Sequence, residues 1–318
     1  MGEFELIRRF FQTPPCSAAT GVALGVGDDA ALLVPTPGQH LVVTTDSMNV
    51  GVHFLGDDDP EGLGHKALAV NLSDLAAMGA RPRWFTLNLS LPAADASWLA
   101  GFAHGMSTLA QQHDVRLVGG DTVRGALGFA VTALGERPAC KAQAMLRSGA
   151  RPGDWIAVSG VPGEAALGLA HKLGELQLPH DLSVLALTRL HRPQPRVALG
   201  LDLLEIASSA LDVSDGLAQD LGHILAASGV GASIELARLP RSPVLDALPL
   251  ERAWQAQLAG GDDYELLFTL PEAALGALEH LPAPVTLIGR IEAEAGLRLH
   301  RADGSLFQLG KHGHDHFA

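Results

Sequence analysis

Apolar residues line nearly every side of the stretch 64–79, which we predict to be a buried helix. Good helix formers run through it without a break until Gly79, a residue suited to a C-terminal cap. Asn71 and Asp74 lie three residues apart and share one face of this helix. Because an unpaired buried charge is costly, Asp74 needs a cation, a network of donors or a metal ion. The alternative is a structural Asp that bonds to backbone amides.

The first half of the chain alternates between strand and helix patterns. Helical spacing from Phe4 to Phe11 predicts a short amphipathic helix that ends before Pro14. Strand patterns cover residues 41–47, 84–91 and 129–134, and residues 98–113 have a helical pattern. Residues 115–122 are predicted to form a short strand that delivers Asp121 from a tight turn.

Residues 25–30 match the glycine spacing of a dinucleotide-binding fingerprint. That motif opens a helix, whereas here a short apolar run stops at Pro35, so we reject it. What remains is a glycine-flanked pair, Asp28 and Asp29, between two strands, which could be only a turn.

The strand and helix pattern pauses near Pro138, and residues 148–154 have the composition of a linker. We therefore predict two domains, residues 1–140 and 150–318. Residues 155–159 restart the pattern as a strand, and a helix follows from Glu164. The glycine turn between them either holds a phosphate at the helix N-terminus or, like most such turns, only connects two elements.

Two acidic segments stand out in the second half. Residues 210–212 form a predicted strand that leads into a helix, whose N-cap we assign to Ser214 or Asp215. Further on, acids follow the double glycine at residues 260–261 and precede another predicted strand.

The composition is that of a globular protein, with 47% hydrophobic and 18% charged residues among 318. The formal net charge of −13 disfavours nucleic acid or an anionic membrane surface as the main partner, so a phosphate-bearing substrate would need metal ions as intermediaries.

Cys16 and Cys140 stand far apart in no paired motif, which argues against a disulfide framework or a zinc site. The acidic N-terminal segment is unlike a signal peptide and no apolar run reaches transmembrane length, so we expect a cytoplasmic protein.

Aspartates recur beside glycine turns or at strand ends, with Ser and Thr nearby and no cysteine. They are Asp29, Asp46, Asp74, Asp121, Asp212 and Asp215. Oxygen-only ligands select magnesium, calcium or manganese, and this many carboxylates imply more than one magnesium ion. Several magnesium ions point to phosphoryl transfer, because they neutralise and align two phosphates. Walker, kinase-loop and nucleophile-elbow sequences are missing, so the residues alone indicate a multi-magnesium enzyme that handles phosphate without a covalent nucleophile.

The acidic motifs follow one another in a definite order. They are Gly27-Asp28-Asp29-Ala30-Ala31, Thr44-Thr45-Asp46, residues 71–79, Gly119-Gly120-Asp121-Thr122, Asp212-Val213-Ser214-Asp215-Gly216 and Gly260-Gly261-Asp262-Asp263-Tyr264-Glu265. This ordered set spans nearly the whole chain and resembles the bacterial thiamine-monophosphate kinase family. The resemblance implies ATP-dependent phosphorylation of thiamine monophosphate to thiamine diphosphate, by direct in-line transfer with several Mg²⁺ ions. It also implies the two-domain α/β fold of aminoimidazole ribonucleotide synthetase and a homodimer in which the N-terminal sheets of two subunits pair.

The resemblance also assigns roles to residues of both predicted domains. The implied magnesium ligands are Asp29, Thr44, Thr45, Asp46, Asp74, Asp121, Asp212 and Asp215. The implied nucleotide contacts are Gly120, Asp121, Arg147 and Ser214, and the implied substrate contacts are His53, Asp262 and His314. The N-terminal domain would hold the magnesium and nucleotide site and form the dimer, and the C-terminal domain would close over nucleotide and substrate.

Two positions depart from the family's pattern. Asp262 stands where the family commonly has Glu, and His314 stands where related kinases place an aromatic residue.

Two alternatives stay open, namely another ATP-using member of the superfamily, of the ribonucleotide synthetase or selenophosphate synthetase type, and a non-catalytic magnesium or nucleotide-binding protein. A selenophosphate synthetase needs a reactive Cys or selenocysteine in a glycine-rich segment, which the surroundings of Cys16 do not match.

Overall fold

The computed structural model describes residues 3–11, 21–139, 145–310 and 313. The chain divides into two compact units, Met1–Leu75 with Ala80–Ala142 and Ala76–Gly79 with Gln143–Ala318. None of the helices in the described ranges is long and apolar enough to cross a membrane.

Helices and strands alternate through much of the chain. The helices are α1 Glu3–Phe10, α2 Pro60–Ala77, α3 Ala96–Gln112, α4 Glu164–Lys172, α5 His180–His191, α6 Val197–Leu203, α7 Leu217–Ser228, α8 Pro243–Asp246 and α9 Leu250–Ala259. The strands are β1 Val22–Leu24, β2 Leu32–Leu33, β3 Gln39–Asn49, β4 Arg81–Leu91, β5 Arg116–Arg124, β6 Gly128–Pro138, β7 Trp155–Ser159, β8 Ser209–Asp212, β9 Gly231–Glu235, β10 Leu266–Leu270, β11 Val285–Glu292 and β12 Gly296–His300. Leu236–Arg238 and Glu272–His280 are 3-10 helices.

The first unit is built on a four-stranded sheet in the order β3-β6-β4-β5. β6 pairs antiparallel with both β3 and β4, whereas β5 pairs parallel with β4. Helix α2 confirms the buried helix predicted from the sequence, with Leu68, Leu72 and Leu75 fully buried. Gly64 and Gly105 let α2 and α3 cross closely, because a Cβ on either residue would overlap the backbone of the other helix.

The predicted tight turn before Asp121 is wrong, because β5 runs through it without a break. Both glycines pair with β4, Gly119 with Thr86 and Gly120 with Leu87, and the register shifts just before them, where Val118 is left without a partner position. Gly120 has a φ of +149°, and a Cβ there would overlap the backbone of Leu87 on β4. Long-range pairing with β4 therefore decided against the turn that the double glycine suggested.

The second unit contains a six-stranded sheet in the order β12-β9-β11-β7-β10-β8. Its core includes Ile156, Val158, Leu211, Leu221 and Leu267, with α7 packed against the sheet. β10 runs antiparallel between β7 and β8. The end of β7, the end of β8 and the start of β10 therefore meet at one edge of this sheet.

The predicted N-cap of α7 is also wrong. The cap position is Gly216, which offers no side chain, and neither Ser214 nor Asp215 caps the helix. Instead, Asp220 of the first helical turn reaches back, and its Oδ2 accepts the backbone N–H groups of Ser214, Asp215 and Gly216 at 3.0, 3.1 and 3.1 Å. A buried side chain inside the helix thus replaces a cap in front of it.

Candidate active site

Three predicted ligands of the first unit meet on the α2 side of the sheet. Thr44 and Asp46 alternate along β3 and share a face, and the Thr44 hydroxyl donates a hydrogen bond to Oδ2 of Asp74 on α2. Asp46 is hydrogen-bonded to Asp74 as well. Burial, followed by the charge and hydrogen bond of Asp74, raises the pKa of Asp46 from 3.8 to about 7. Two carboxylates here therefore compete for one proton unless a cation neutralises them.

This donor set fits a hard divalent cation. Mg²⁺ binds oxygen ligands and commonly takes one or two carboxylates, completing its shell with waters and substrate phosphates. Asp46 and Asp74 supply two carboxylates, and Thr44 adds a hydroxyl beside them. In the described part of the chain, no group of three or more His, Cys, Asp or Glu side chains is arranged to hold a metal ion. A metal here would therefore take the rest of its ligands from water and from phosphate.

Thr45 and Asp121 lie on the opposite face of the same sheet. Thr45 follows Thr44 on β3, so its side chain points away from Asp74, and its hydroxyl donates to the Val131 carbonyl at 3.1 Å. The register places Asp121 beside Asn88, in a row that ends at Ser47 on β3. With strands about 4.8 Å apart, three strand spacings separate Asp121 from β3 by about 14 Å.

Asp29 and His53 lie in loops of the first unit. Asp29 is exposed between β1 and β2, the two strands predicted around it, and its N–H donates to Oδ1 of Asp28 at 2.9 Å. His53 follows β3, and its Nδ1 accepts the N–H of Asn49 at 3.1 Å.

The second unit brings four predicted site residues together at the sheet edge formed by β7, β8 and β10, namely Asp212, Ser214, Asp215 and Asp262. Asp212 ends β8 and pairs with Leu266 at the start of β10. The N–H of Asp262 donates to the carbonyl of Ser214 at 2.9 Å, and the N–H of Tyr264 donates to the carbonyl of Val213 at 2.8 Å. Residues 212–215 and 260–265, which the sequence separates by about 45 positions, therefore form one double loop.

Asp220 holds the first half of this double loop and was missed in the sequence. Its carboxylate accepts hydrogen bonds from the N–H groups of residues 214–216, so it fixes the backbone orientation of Ser214 and Asp215. Burial and then the nearby Asp215 charge raise the pKa of Asp220 to about 6, against the lowering effect of the three N–H donors. The only sequence signal was an acid in the first turn of a helix that opens with glycine.

The backbone of Arg147 lies near the C-terminal end of α7. The carbonyl of Arg147 accepts the hydroxyl of Ser228 at 3.3 Å, and Ser228 is the last residue of α7. Ser214 precedes the first turn of the same helix, whose 12 residues span about 18 Å. The backbones of Arg147 and Ser214 therefore lie near opposite ends of α7.

Some predicted positions fall outside the described residues, namely His314 and both cysteines, Cys16 and Cys140. Gly313 is described, and it lies against the turn that carries Asp215. A Cβ on Gly313 would come within 2.7 Å of the Asp215 carbonyl oxygen, which shows how closely the two backbones approach.

The glycine turn before α4 has its anion position filled by the protein itself. The N–H of Gly163, at the N-cap of α4, donates to both carboxylate oxygens of Asp263 at 2.8 and 2.9 Å. Burial raises the pKa of Asp263 well above its usual range. Of the two readings of this turn, the structure therefore favours the connecting one over phosphate binding.

Comparison with known proteins shows the family of this chain. Residues 27–136 match the N-terminal domain, and residues 151–301 the C-terminal domain, of the AIR synthase related protein family. The thiamine-monophosphate kinase of Escherichia coli K12 is 46% identical over 323 residues, which cover 100% of this chain and 98% of that protein. This chain belongs to the thiamine-monophosphate kinase family.

Two solved structures show the same fold. The crystal structure of thiamine-monophosphate kinase from Stenotrophomonas maltophilia K279a is 47% identical, with a TM-score of 0.83 over 90% of this chain and 92% of that one. AaThiL complexed with AMPPCP and TMP is 33% identical, with a TM-score of 0.78 over 92% of each chain. The family resemblance and the two-domain α/β fold predicted from the ordered motifs are confirmed.

Proposed function

We propose that this protein transfers the terminal phosphoryl group of ATP to thiamine monophosphate and forms thiamine diphosphate. The observation that carries the proposal is the 46% identity to a thiamine-monophosphate kinase along the full chain. The similar AaThiL structure with AMPPCP and TMP supports the same pair of substrates, a nucleotide and a phosphate-bearing acceptor. The acceptor oxygen belongs to a phosphate and is already ionised, so no strong general base is required.

We assign Thr44, Asp46 and Asp74 to a Mg²⁺ site of the first unit. The hydrogen-bonded pair of carboxylates and the raised pKa of Asp46 support this assignment, because a cation relieves the repulsion between them. Bound Mg²⁺ would neutralise phosphate charge during transfer. The other predicted ligands are Asp29, Thr45, Asp121, Asp212 and Asp215, and of these Thr45 and Asp121 lie on the opposite face of the sheet.

The double loop of the second unit would bind the acceptor and part of the nucleotide. Ser214 is the proposed nucleotide contact, and Asp262 is the proposed contact to the thiamine end. Their backbones are joined by a hydrogen bond of 2.9 Å, which fixes the distance between these two residues. The hydrogen bond would thereby orient ATP and thiamine monophosphate for direct transfer, with no covalent enzyme intermediate.

We also propose that the protein is a homodimer formed through the first unit. Residues that alternate along β3 leave an apolar surface on the face opposite to α2, with Leu41 46% and Val43 60% exposed. Val123 on β5 lies on the same face and is 51% exposed. Apolar side chains on an open sheet favour pairing with a second sheet. A second copy of the chain would bury them.

One assay tests the proposed activity. The protein is incubated with Mg-ATP and thiamine monophosphate, and thiamine diphosphate is measured by chromatography, with Asp46→Asn as the inactive control. Formation of thiamine diphosphate by the wild type alone supports the proposal. ATP turnover that does not depend on thiamine monophosphate, with no thiamine diphosphate formed, contradicts it and favours another ATP-using member of the superfamily.

A further inference from the structure

Residues 260–265 form the loop between α9 and β10, and this loop has a strained backbone. Asp262 and Tyr264 adopt left-handed conformations, with φ of +67° and +51°. Side chains other than glycine disfavour that region, so contacts from the surrounding structure must hold the loop in this shape. Two backbone hydrogen bonds to residues 213 and 214 hold it from one side.

A buried ion pair holds the end of the loop. Glu265 is 4% exposed and accepts two hydrogen bonds from the Arg196 guanidinium, from Nε to Oε2 at 2.6 Å and from Nη2 to Oε1 at 2.5 Å. The Ser159 hydroxyl donates to the same carboxylate at 2.5 Å. The paired Arg and Glu side chains are 19% and 6% exposed. Two parallel hydrogen bonds fix both the distance and the plane of the carboxylate.

The turn after β7 is shaped to receive this carboxylate. Gly160 has a φ of +54°, and a Cβ there would overlap the carboxylate of Glu265. Three residues later, the N–H of Gly163 donates to the Asp263 carboxylate. Asp263 and Glu265, the acids that flank Tyr264, therefore both contact the same turn. The ion pair is one of several contacts that hold the loop.

We infer that Arg196 is a positioning residue for the acceptor substrate. Through Glu265 it holds residues 260–265 in the conformation that presents Asp262, the proposed contact to the thiamine end. The inference rests on the proposed function, because it assigns the loop to thiamine monophosphate. Lys should replace Arg196 only in part, since an ammonium group keeps the charge but lacks the planar pair of donors that the carboxylate accepts.

A double variant tests this role without leaving a buried charge alone. Arg196→Met with Glu265→Leu replaces the pair by apolar side chains, an exchange that buried ion pairs often tolerate. Arg196→Lys is the second variant, and it serves if the double variant fails to fold. The matched control is Arg298→Met with Glu292→Leu, which removes another Arg–Glu pair, with a distance of 2.9 Å, on β12 and β11 of the same sheet.

We expect the KM for thiamine monophosphate to rise at least about tenfold in the double variant and about threefold in Arg196→Lys, while the KM for ATP changes by less than about twofold. Hydrogen exchange of peptides that cover residues 260–266 should quicken, while exchange of residues 285–292 stays as in the wild type. The control should leave both KM values unchanged. A pair with only a structural role would lower the melting temperature and leave both KM values of the folded protein as they are.

Two results overturn the inference. One is unchanged exchange of residues 260–266 in a folded variant, and the other is an acceptor KM that stays constant or rises together with the KM for ATP. If the wild type forms no thiamine diphosphate at all, the proposed function fails instead, and the exchange data still decide whether Arg196 holds the loop.

Discussion

Asp74→Asn separates a metal-binding role of Asp74 from a structural one. Asn keeps the shape of the side chain and can still accept the hydrogen bond from Thr44 that Asp74 accepts. The negative charge beside Asp46 is lost. Because that charge helps to raise the pKa of Asp46 to about 7, the variant should let Asp46 ionise at a lower pH.

The magnitude follows from the pKa of Asp46. Its rise from 3.8 to about 7 corresponds to an upper limit of about 4 kcal/mol, at about 1.4 kcal/mol per pH unit. Burial is the largest cause and the side chain is partly exposed, so we assign about 1–2 kcal/mol to the charge of Asp74. For a group whose pKa is raised on folding, the stabilisation is complete below pH 3.8 and is lost as the pH rises through about 7.

The assay is urea unfolding in EDTA at pH 8 and at pH 5. At pH 8 both carboxylates of the wild type are charged, so Asp74→Asn should be more stable by about 1–2 kcal/mol. At pH 5 Asp46 holds its proton in both proteins, and the difference should disappear. Kinase activity should fall by about 100-fold or more, because the variant loses a carboxylate ligand of the Mg²⁺ ion that stabilises the charge of the transferred phosphoryl group. The control is Asp95→Ala, which removes the N-cap of α3 and should cost about 1 kcal/mol at both pH values.

The outcome that would refute this reasoning is specific. A variant that is less stable than the wild type at both pH values means that Asp74 is a structural acid. Turnover close to that of the wild type means that Asp74 does not hold the metal.

Four further predictions concern other parts of the molecule. Asp220→Ala removes the acceptor of three backbone N–H groups, so it should lower stability by about 1–3 kcal/mol in urea unfolding and raise the KM for ATP; an unchanged KM would show that the turn keeps its shape without Asp220. His314→Tyr should lower the KM for thiamine monophosphate by up to about tenfold, as a stacked aromatic ring allows, with the KM for ATP constant; equal changes in both KM values would place this residue outside the thiamine pocket. Incubation with γ-labelled ATP alone should leave the protein unlabelled, and a labelled protein that goes on to form product would contradict direct transfer. Val43→Lys should convert a dimer into a monomer in light scattering, and a wild-type monomer at micromolar concentration would contradict the dimer itself.

Local sequence determined much of the fold and the order of the acidic motifs. The stretch 64–79 is apolar all round, and a helix of that kind has to be buried, which the structure shows for α2. The strands around Asp46 and Asp121 likewise follow from β-branched or alternating runs, and the strand before Asp212 follows from a short apolar run. These features depend on neighbouring residues alone, so they can be predicted before any tertiary contact is known.

Tertiary structure decided which acids share a site. Side chains alternate across a strand, so Asp46 meets Asp74 while its neighbour Thr45 faces the other side. The parallel pairing with β4 kept the double glycine before Asp121 in a continuous strand instead of a turn. Hydrogen bonds between residues far apart in the chain, from Asp262 to Ser214 and from Gly163 to Asp263, shaped the loops of the second unit. Strand registers and long-range hydrogen bonds join segments that are far apart in the chain. The sequence of one segment does not indicate which other segment it contacts, so only the folded chain brings them together.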